Sequence, residues 1–479
     1  MDKVSVETEI DKVLESAVEQ LRTALIELGE CAGEGELTFW EVEKRFGEAL
    51  MSFACQLLAV VLSMYDIGAK YIRFGGEVWR RGTKKRAKDY HSIWGKIRVE
   101  RWTYLRCGER GGEQLVPLEH RAGLVDASWT PQCAEGMARL VQSVPPREAA
   151  ENVEPLGVLP YSRSSFERVA LSCGQQWEDN REPLEDELIE TVEIPEEAAG
   201  ISIAFDRVRI ETDETVRDPI KWPNGREQPR EINGRMAYCA TVTLHDEQGE
   251  PLKTFRYGRN AEKDQDKPNL PGVGEWIIRE QVRWDVETLL RRCPELETRK
   301  VALSDGGPEL ERIIAEDFPD WTSLCDLYHL TDKLNDALEE AGFSASERRS
   351  RRRQWVRQLK HIDDAIDGID AELALMEGEA ASAARTYIKN RRSRLEYAES
   401  YAQGLPIASG HVEATCKSLV QVRMRRCGQR WTVQSSQAIL NLRALALSSV
   451  WTEAMGLLMN QAVNDDFEAC EKPRRKAAA

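Results

Sequence analysis

Three acidic residues far apart in the chain, Asp206, Asp305 and Glu413, stand where a carboxylate is informative. Asp206 interrupts the strand-like run Ile201-Ser202-Ile203-Ala204-Phe205-Asp206-Arg207-Val208-Arg209-Ile210. A carboxylate among Ile203, Phe205 and Val208 is costly to bury without a partner, so it is either an edge residue or one kept for chemistry. Asp305 ends a short apolar strand and runs into Gly306 and Gly307, which reads as an ordinary turn or as backbone that a substrate can approach closely. Glu413 falls in the first turn of a helix opened by Ser409-Gly410, where the dipole favours negative charge, and Lys417 follows it on the same face. The plainer reading of that stretch is a capped surface helix with an ordinary ion pair. Three carboxylates in one cleft repel one another unless cations neutralise them, and hard oxygen ligands suit Mg²⁺ or Mn²⁺. Two such ions can activate a water or a 3′-hydroxyl and stabilise the leaving oxygen of a phosphodiester. Asp326 and His329 read as a metal pair or as a structural hydrogen bond supporting the site, with Asp326 also a rival to Asp305 for the second carboxylate.

The elements around these residues alternate in a telling order. After Gly200 come three strands (201–210, 235–244, 253–257), a helix (274–292) with Ile278, Val282, Val286 and Leu289 along one side, a strand (300–307), a helix (310–318) and a strand (321–325). Hairpin-joined strands, then a helical crossover to a parallel strand, then a further helix–strand unit describe an α/β, ribonuclease-H-like core. In that topology the first and fourth strands are neighbours, which lets Asp206 and Asp305 converge. From His329 to Asn464 the chain is almost wholly helical, and 334–403 reads as a helical insertion carrying two basic runs, 348–353 and 391–394.

The N-terminal part has a different character. Residues 4–64 repeat apolar positions at helical spacing, Val18, Leu21, Leu25 and Leu28, then Phe46, Leu50, Phe53 and Leu57, as an intramolecular bundle or a dimerising pair. A basic, aromatic-rich β segment follows, with Lys84, Lys85 and Arg86 beside Trp79, Trp94 and Trp102. Cations interleaved with aromatic rings suit a phosphate backbone, and the alternative is a solvated β-ribbon. Residues 147–154 and 162–173, joined by a turn at 155–161, resemble a helix-turn-helix that would present Arg163 and Arg168 to a major groove. Helix pairs of this kind also occur in proteins that touch no DNA.

Composition bounds the rest. A chain of 479 residues with 41% hydrophobic and 31% charged residues suits a soluble globular protein of two to four domains. Its formal net charge of -16 argues against a protein coated in nucleic acid, while leaving room for local basic grooves. The 11 cysteines are scattered with no CxxC pair, which points to a reduced, intracellular protein without structural zinc. The apolar run 53–64 reads as a buried helix, too short for a membrane span. The expected division is 1–75 helical, 76–130 basic β segment, 131–180 helix-turn-helix-like module, 181–199 acidic linker, 200–333 first part of the core, 334–403 insertion, 404–465 final core helices and 466–479 disordered tail.

Asp305-Gly306-Gly307-Pro308, Cys325-Asp326-Leu327-Tyr328-His329, the stretch from Gly404 to Lys417, and Arg425-Arg426-Cys427-Gly428-Gln429-Arg430-Trp431 together resemble the ISKra-type bacterial insertion-sequence transposases, relatives of the Mutator-like group. The resemblance covers about 200–451. It implies a DDE transposase with a ribonuclease-H-like core interrupted by a helical insertion, its triad mapping to Asp206, Asp305 and Glu413 and its Asp-x-x-His element to Asp326 and His329. It also implies two Mg²⁺ or Mn²⁺ ions and double-stranded DNA partners, the terminal inverted repeats and target DNA. A homodimer or larger assembly, no membrane, and a bacterial cytoplasmic, nucleoid-associated location follow as expectations. Lys417, Arg425, Arg426 and Arg430, on the Glu413 helix and its exit, would contact phosphates. Many relatives place glycine after the first aspartate, where Arg207 stands here, and carry paired N-terminal cysteines that this chain lacks. A non-catalytic DNA-binding regulator and a nuclease of the same fold are the rival readings.

Overall fold

The computed structural model describes residues 3–108, 112–215, 223, 225, 230–260, 273–408, 410–426 and 429–472; for 3–9, 214–215, 230–231, 233 and 411–413 it describes the backbone alone. The chain mixes helix and sheet and divides into two compact units, Met1–Asp179 with Ala454–Ala479, and Asn180–Glu453.

In the first unit, helices Lys3–Gly33 and Phe39–Ser63 pack against each other. The second is started by a capping box in which Thr38 and Glu41 satisfy each other's backbone N–H groups. Strands β1 (Tyr71–Phe74), β2 (Glu77–Arg81), β3 (Arg86–Ser92), β4 (Gly95–Arg101), β5 (Tyr104–Arg106) and β6 (Gln114–Leu115) follow. β3 and β4 form a separate hairpin, in which Ile97 and Val99 enter the core while Lys96, Arg98 and Glu100 face solvent. Helices Pro146–Val153 and Arg163–Asp179 flank a short turn, and they pack together.

Three expectations are corrected. Helix Phe39–Ser63 is not buried along 53–64: Leu62 alone is fully buried, and Phe39, Trp40, Phe46, Leu50 and Val61 are exposed. By length and composition this helix is long and apolar enough to cross a membrane. The expected acidic linker contains a helix, Arg181–Thr191, which packs on Val273–Arg292 because its few apolar residues, Leu184 and Ile189, bury there. The tail is not unstructured throughout, since Glu468–Ala469 pairs antiparallel with β1 and Phe467 stacks on Phe74 at 4.4 Å.

The second unit is built on β7 (Gly200–Thr215), β8 (Arg230–His245), β9 (Pro251–Asn260), β10 (Lys300–Ser304) and β11 (Thr322–Cys325). Their order is β11-β10-β7-β8-β9, with β7, β8 and β9 antiparallel neighbours and β10 and β11 parallel to β7. Helix Val273–Arg292 connects β9 to β10 and buries Ile278, Val282, Val286 and Leu289. Helix Pro308–Asp317 connects β10 to β11 through Leu310, Ile313 and Ile314. The helices from Leu327 to Ala402 surround Leu330, Leu334, Trp355, Leu359, Ile369 and Tyr397, and this core is continuous with Leu303 and Leu324 of the sheet. The chain returns as one helical rod from Gly410 to Met424, wound as a π-helix over Cys416–Gln421, and then as helix Val433–Leu447 beside β9.

Candidate active site

Three aspartates leave the parallel half of the sheet at one level. Phe205, Ser304 and Cys325 are in register across β7, β10 and β11, and the next residue is Asp206 within β7, and Asp305 and Asp326 just past the ends of β10 and β11. Neighbouring strands lie about 5 Å apart, and the charge of Asp305 is felt at Asp206.

Asp206 is half-buried. Its Oδ1 accepts the Arg207 backbone N–H at 2.6 Å, and the Cys416 thiol donates to the same carboxylate. Burial pushes its pKa up; these hydrogen bonds pull the other way, the charge of Asp305 adds to the rise, and His329 opposes it. Cys239 lies directly across from Asp206 on β8 and shares a hydrogen bond with Cys416, which together with burial drives the Cys416 thiol far above its usual range. Arg207 pairs with Glu309, not with Asp206. Glu309 also accepts from the Tyr238 hydroxyl at 2.6 Å, and that hydroxyl lies 3.0 Å from the buried Glu275.

Asp305 accepts the Gly307 N–H on Oδ1 at 2.7 Å. Asp326 has a different task. Only 5% exposed, it caps helix Leu327–Glu340 by accepting the His329 backbone N–H at 2.8 Å, while its own N–H donates to the Ser304 carbonyl at 2.8 Å. Glu413 lies in helix Gly410–Thr415, which packs on β7 and β8, three residues before Cys416. The Glu413 side chain and Ser409 lie outside the described residues, as do Cys427 and Gly428.

The basic residues divide between the units. In the first, Lys84, Lys85 and Arg86 are exposed, with Lys85 3.4 Å from Asp66. Arg163 and Arg168 are exposed on helix Arg163–Asp179, whose Ser165 N–H is capped by Ser162, and Arg168 sits 5.7 Å over the Trp129 ring. In the second, Lys417, Arg425 and Arg430 are exposed, and Arg426 donates to the Val422 carbonyl at 3.2 Å. Beneath them the buried Arg423 stacks over Trp431 at 4.9 Å, and the Trp431 carbonyl accepts the Asp213 N–H on β7 at 2.7 Å.

No family model and no curated protein matches the chain. Among solved structures it is similar to a Drosophila P element transposase strand transfer complex, with a TM-score of 0.32 and 10% identity over 65% of this chain and 91% of that one. At that score the likeness decides nothing, and the geometry of the site carries the functional conclusion.

Much of the charge in the basic runs of the insertion already has carboxylate partners, which spacing alone did not reveal. Arg392 pairs with Asp364, Asp367 and Glu396, Arg348 with Glu339, and Arg352 with Asp332. Arg391 and Arg394 both pair with Glu311, at 2.8 and 2.6 Å. The sequence signal for these residues was only a cluster of charge. Nothing local distinguishes a cluster that waits for phosphate from one that already has carboxylate partners.

Among the described residues no group of three His, Cys, Asp or Glu side chains is arranged to hold a metal ion, a set from which the Glu413 side chain is missing. The chemistry of Asp206 and Asp305 nevertheless fits one. A half-buried carboxylate whose charged form is disfavoured by burial and by a second carboxylate beside it would be relieved by a divalent cation, and both offer hard oxygens.

Proposed function

We propose that this protein is a DNA transposase of the DDE type, of ISKra-like kind, that binds the terminal inverted repeats of its element and catalyses strand cleavage and strand transfer. The observation that carries this reading is the placement of Asp206 on β7 and Asp305 just past the end of the adjacent parallel strand β10, each following the registered pair Phe205–Ser304. They stand in a mixed sheet of order 3-2-1-4-5 with an antiparallel second strand, the arrangement of ribonuclease-H-like cores. The helix of Glu413 packs on the first of those strands, which supports its membership of the same acidic set.

Asp206, Asp305 and Glu413 would hold Mg²⁺ or Mn²⁺, two ions in the full site, supplying Lewis-acid activation of a water or a 3′-hydroxyl at the phosphodiester. The other roles belong to the chain itself. Gly307 puts no side chain beside the Asp305 carboxylate, so a DNA strand can approach the backbone there, while Gly306 is covered by Arg391. Lys417, Arg425, Arg426 and Arg430 would contact phosphates in the second unit, and Lys84, Lys85, Arg86, Arg163 and Arg168 would do so in the first, as a homodimer or larger assembly engages paired ends. Asp326 holds the His329 turn in place, and His329 lies close enough to Asp206 to offset its charge repulsion.

The test uses DNA carrying the inverted repeats that flank the reading frame. The full-length chain is expected to nick and join these ends only with Mg²⁺ or Mn²⁺, and Glu413→Gln to bind them without cutting. Cleavage without joined products favours a nuclease of the same fold. Binding with no cleavage by the unmodified chain favours a non-catalytic regulator.

A further inference from the structure

We propose that the helical insertion sets the orientation of the Asp305 carboxylate through Arg391, which grips the far end of the peptide group that donates to it. The inference rests on the transposase reading only for what Asp305 holds. The Asp305 Oδ1 accepts the Gly307 N–H at 2.7 Å. That N–H belongs to the Gly306–Gly307 peptide, whose oxygen is the Gly306 carbonyl. Arg391 Nε donates to this oxygen at 3.0 Å, and a second guanidinium nitrogen donates to it as well. Because a peptide group is planar and trans, holding its oxygen fixes the direction of its N–H. A cationic donor on the oxygen also polarises the group, so the N–H becomes a stronger donor to the carboxylate.

Arg391 is itself fixed on several sides. Its Nε also lies 2.8 Å from Glu311, and its guanidinium stacks 4.6 Å over the Tyr387 ring. The Tyr387 hydroxyl donates to the Asp305 carbonyl at 3.2 Å, so the same helix, Glu379–Arg391, holds both peptide oxygens of the turn. Arg394, just beyond that helix, ties Glu311 to Ser304 Oγ at 2.9 Å, beneath the turn. Gly306 has φ of 85°, and a Cβ there would lie 2.5 Å from Arg391 Nε, so the turn is shaped around the guanidinium. A simple anchor for the insertion would need only the Glu311 ion pair, which a lysine can also make. Arg391 instead meets the Gly306 oxygen through two of its nitrogens while Nε also lies against Glu311, a two-nitrogen grip that a single lysine ammonium does not reproduce, which makes Arg391 a positioning residue.

The test is made on the full chain without DNA, with two readings. Selective ¹⁵N-glycine labelling follows the Gly307 amide resonance, and electron paramagnetic resonance measures Mn²⁺ affinity. Arg391→Met is expected to move the Gly307 amide proton upfield and to weaken Mn²⁺ binding about tenfold or more, the usual effect of removing an outer-sphere partner. Arg391→Lys is expected to recover part of both. Arg392→Met, which removes ion pairs from the same helix end without touching the turn, is expected to change neither. An unmoved Gly307 resonance in Arg391→Met overturns the inference, as does an equal shift in Arg392→Met. If Arg391→Met does not fold, Arg391→Lys carries the same test, with an unmoved resonance again overturning it. If the resonance moves as expected while Asp305→Asn leaves Mn²⁺ affinity unchanged, the clamp stands and the metal-site reading of Asp305 falls.

Discussion

Asp206 and Asp305 each follow a residue of one registered pair, Phe205 opposite Ser304 in the parallel ladder of β7 and β10. The ladder therefore delivers two like charges to the same level of the sheet, both of them half-buried. Asp206→Asn and Asp305→Asn are each expected to lower Mn²⁺ affinity and to reduce divalent-dependent cleavage by more than about 100-fold, the upper range for outer-sphere partners. Titration calorimetry and end-labelled DNA cleavage check this, with DNA binding retained as the sign that the fold survives.

Gly306 offers a test of the turn that needs no metal. Its φ of 85° and the 2.5 Å approach of Arg391 Nε to a built Cβ, with the Tyr387 hydroxyl at 2.9 Å, leave no room for a side chain. Gly306→Ala is expected to destabilise the second unit by about 1–3 kcal/mol from backbone strain alone. Urea unfolding of the variant against the unmodified chain measures it.

Asp285 provides a pH prediction away from the acidic edge. It is buried on helix Val273–Arg292, with Oδ2 accepting from the Tyr257 hydroxyl at 2.7 Å and Oδ1 without a partner among the described residues. Burial pushes its pKa well up, with Glu185 and Asp186 adding to the rise and the Tyr257 hydrogen bond and Arg181 opposing it. The folded chain thus keeps a proton that the unfolded chain loses near pH 4, so stability from this group is full below that pH and falls as pH rises toward the folded pKa. Asp285→Asn, which does not titrate, is expected to gain stability relative to the unmodified chain as pH is raised from about 4, with the gap closing again in acid. Melting temperatures across that range decide it.

Thiol reactivity should sort the described cysteines by burial. Cys133, Cys173, Cys239, Cys325 and Cys416 are buried; burial raises the pKa of Cys133, Cys173 and Cys325, and the Cys239 hydrogen bond with burial raises that of Cys416, which holds each as an unreactive thiol. Cys31, Cys55, Cys107, Cys293 and Cys470 are partly exposed. Iodoacetamide followed by peptide mass spectrometry is expected to label the second group first. Early labelling of Cys416 would mean that the helix of Glu413 does not lie closed over Asp206.

The elements of the second unit were readable because their signals are local. Strands β7 to β11 and the helices between them carry period-two and period-3.6 patterns within a dozen residues, and the succession of hairpins and crossovers constrains their order. The helices at 147–154 and 162–173 were legible for the same reason. The helix Arg181–Thr191 was missed because its acidic surface hides two apolar residues, Leu184 and Ile189, that matter only once Val273–Arg292 is beside them.

By itself, then, the amino-acid sequence determined the order of strands and helices from Gly200 to Cys325 and placed Asp206 on a strand and Asp305 at the end of one. Only the tertiary structure decided what those carboxylates and the surrounding charges touch. It set the Cys416 thiol on Asp206, turned Asp326 into a cap, and closed Arg391 over the Gly306 carbonyl 85 positions away. The physical reason is one of range. Helix and strand patterning are written in neighbours a few residues apart, whereas a charge or hydrogen-bond donor takes its partner from whatever the folded chain brings within about 3 Å.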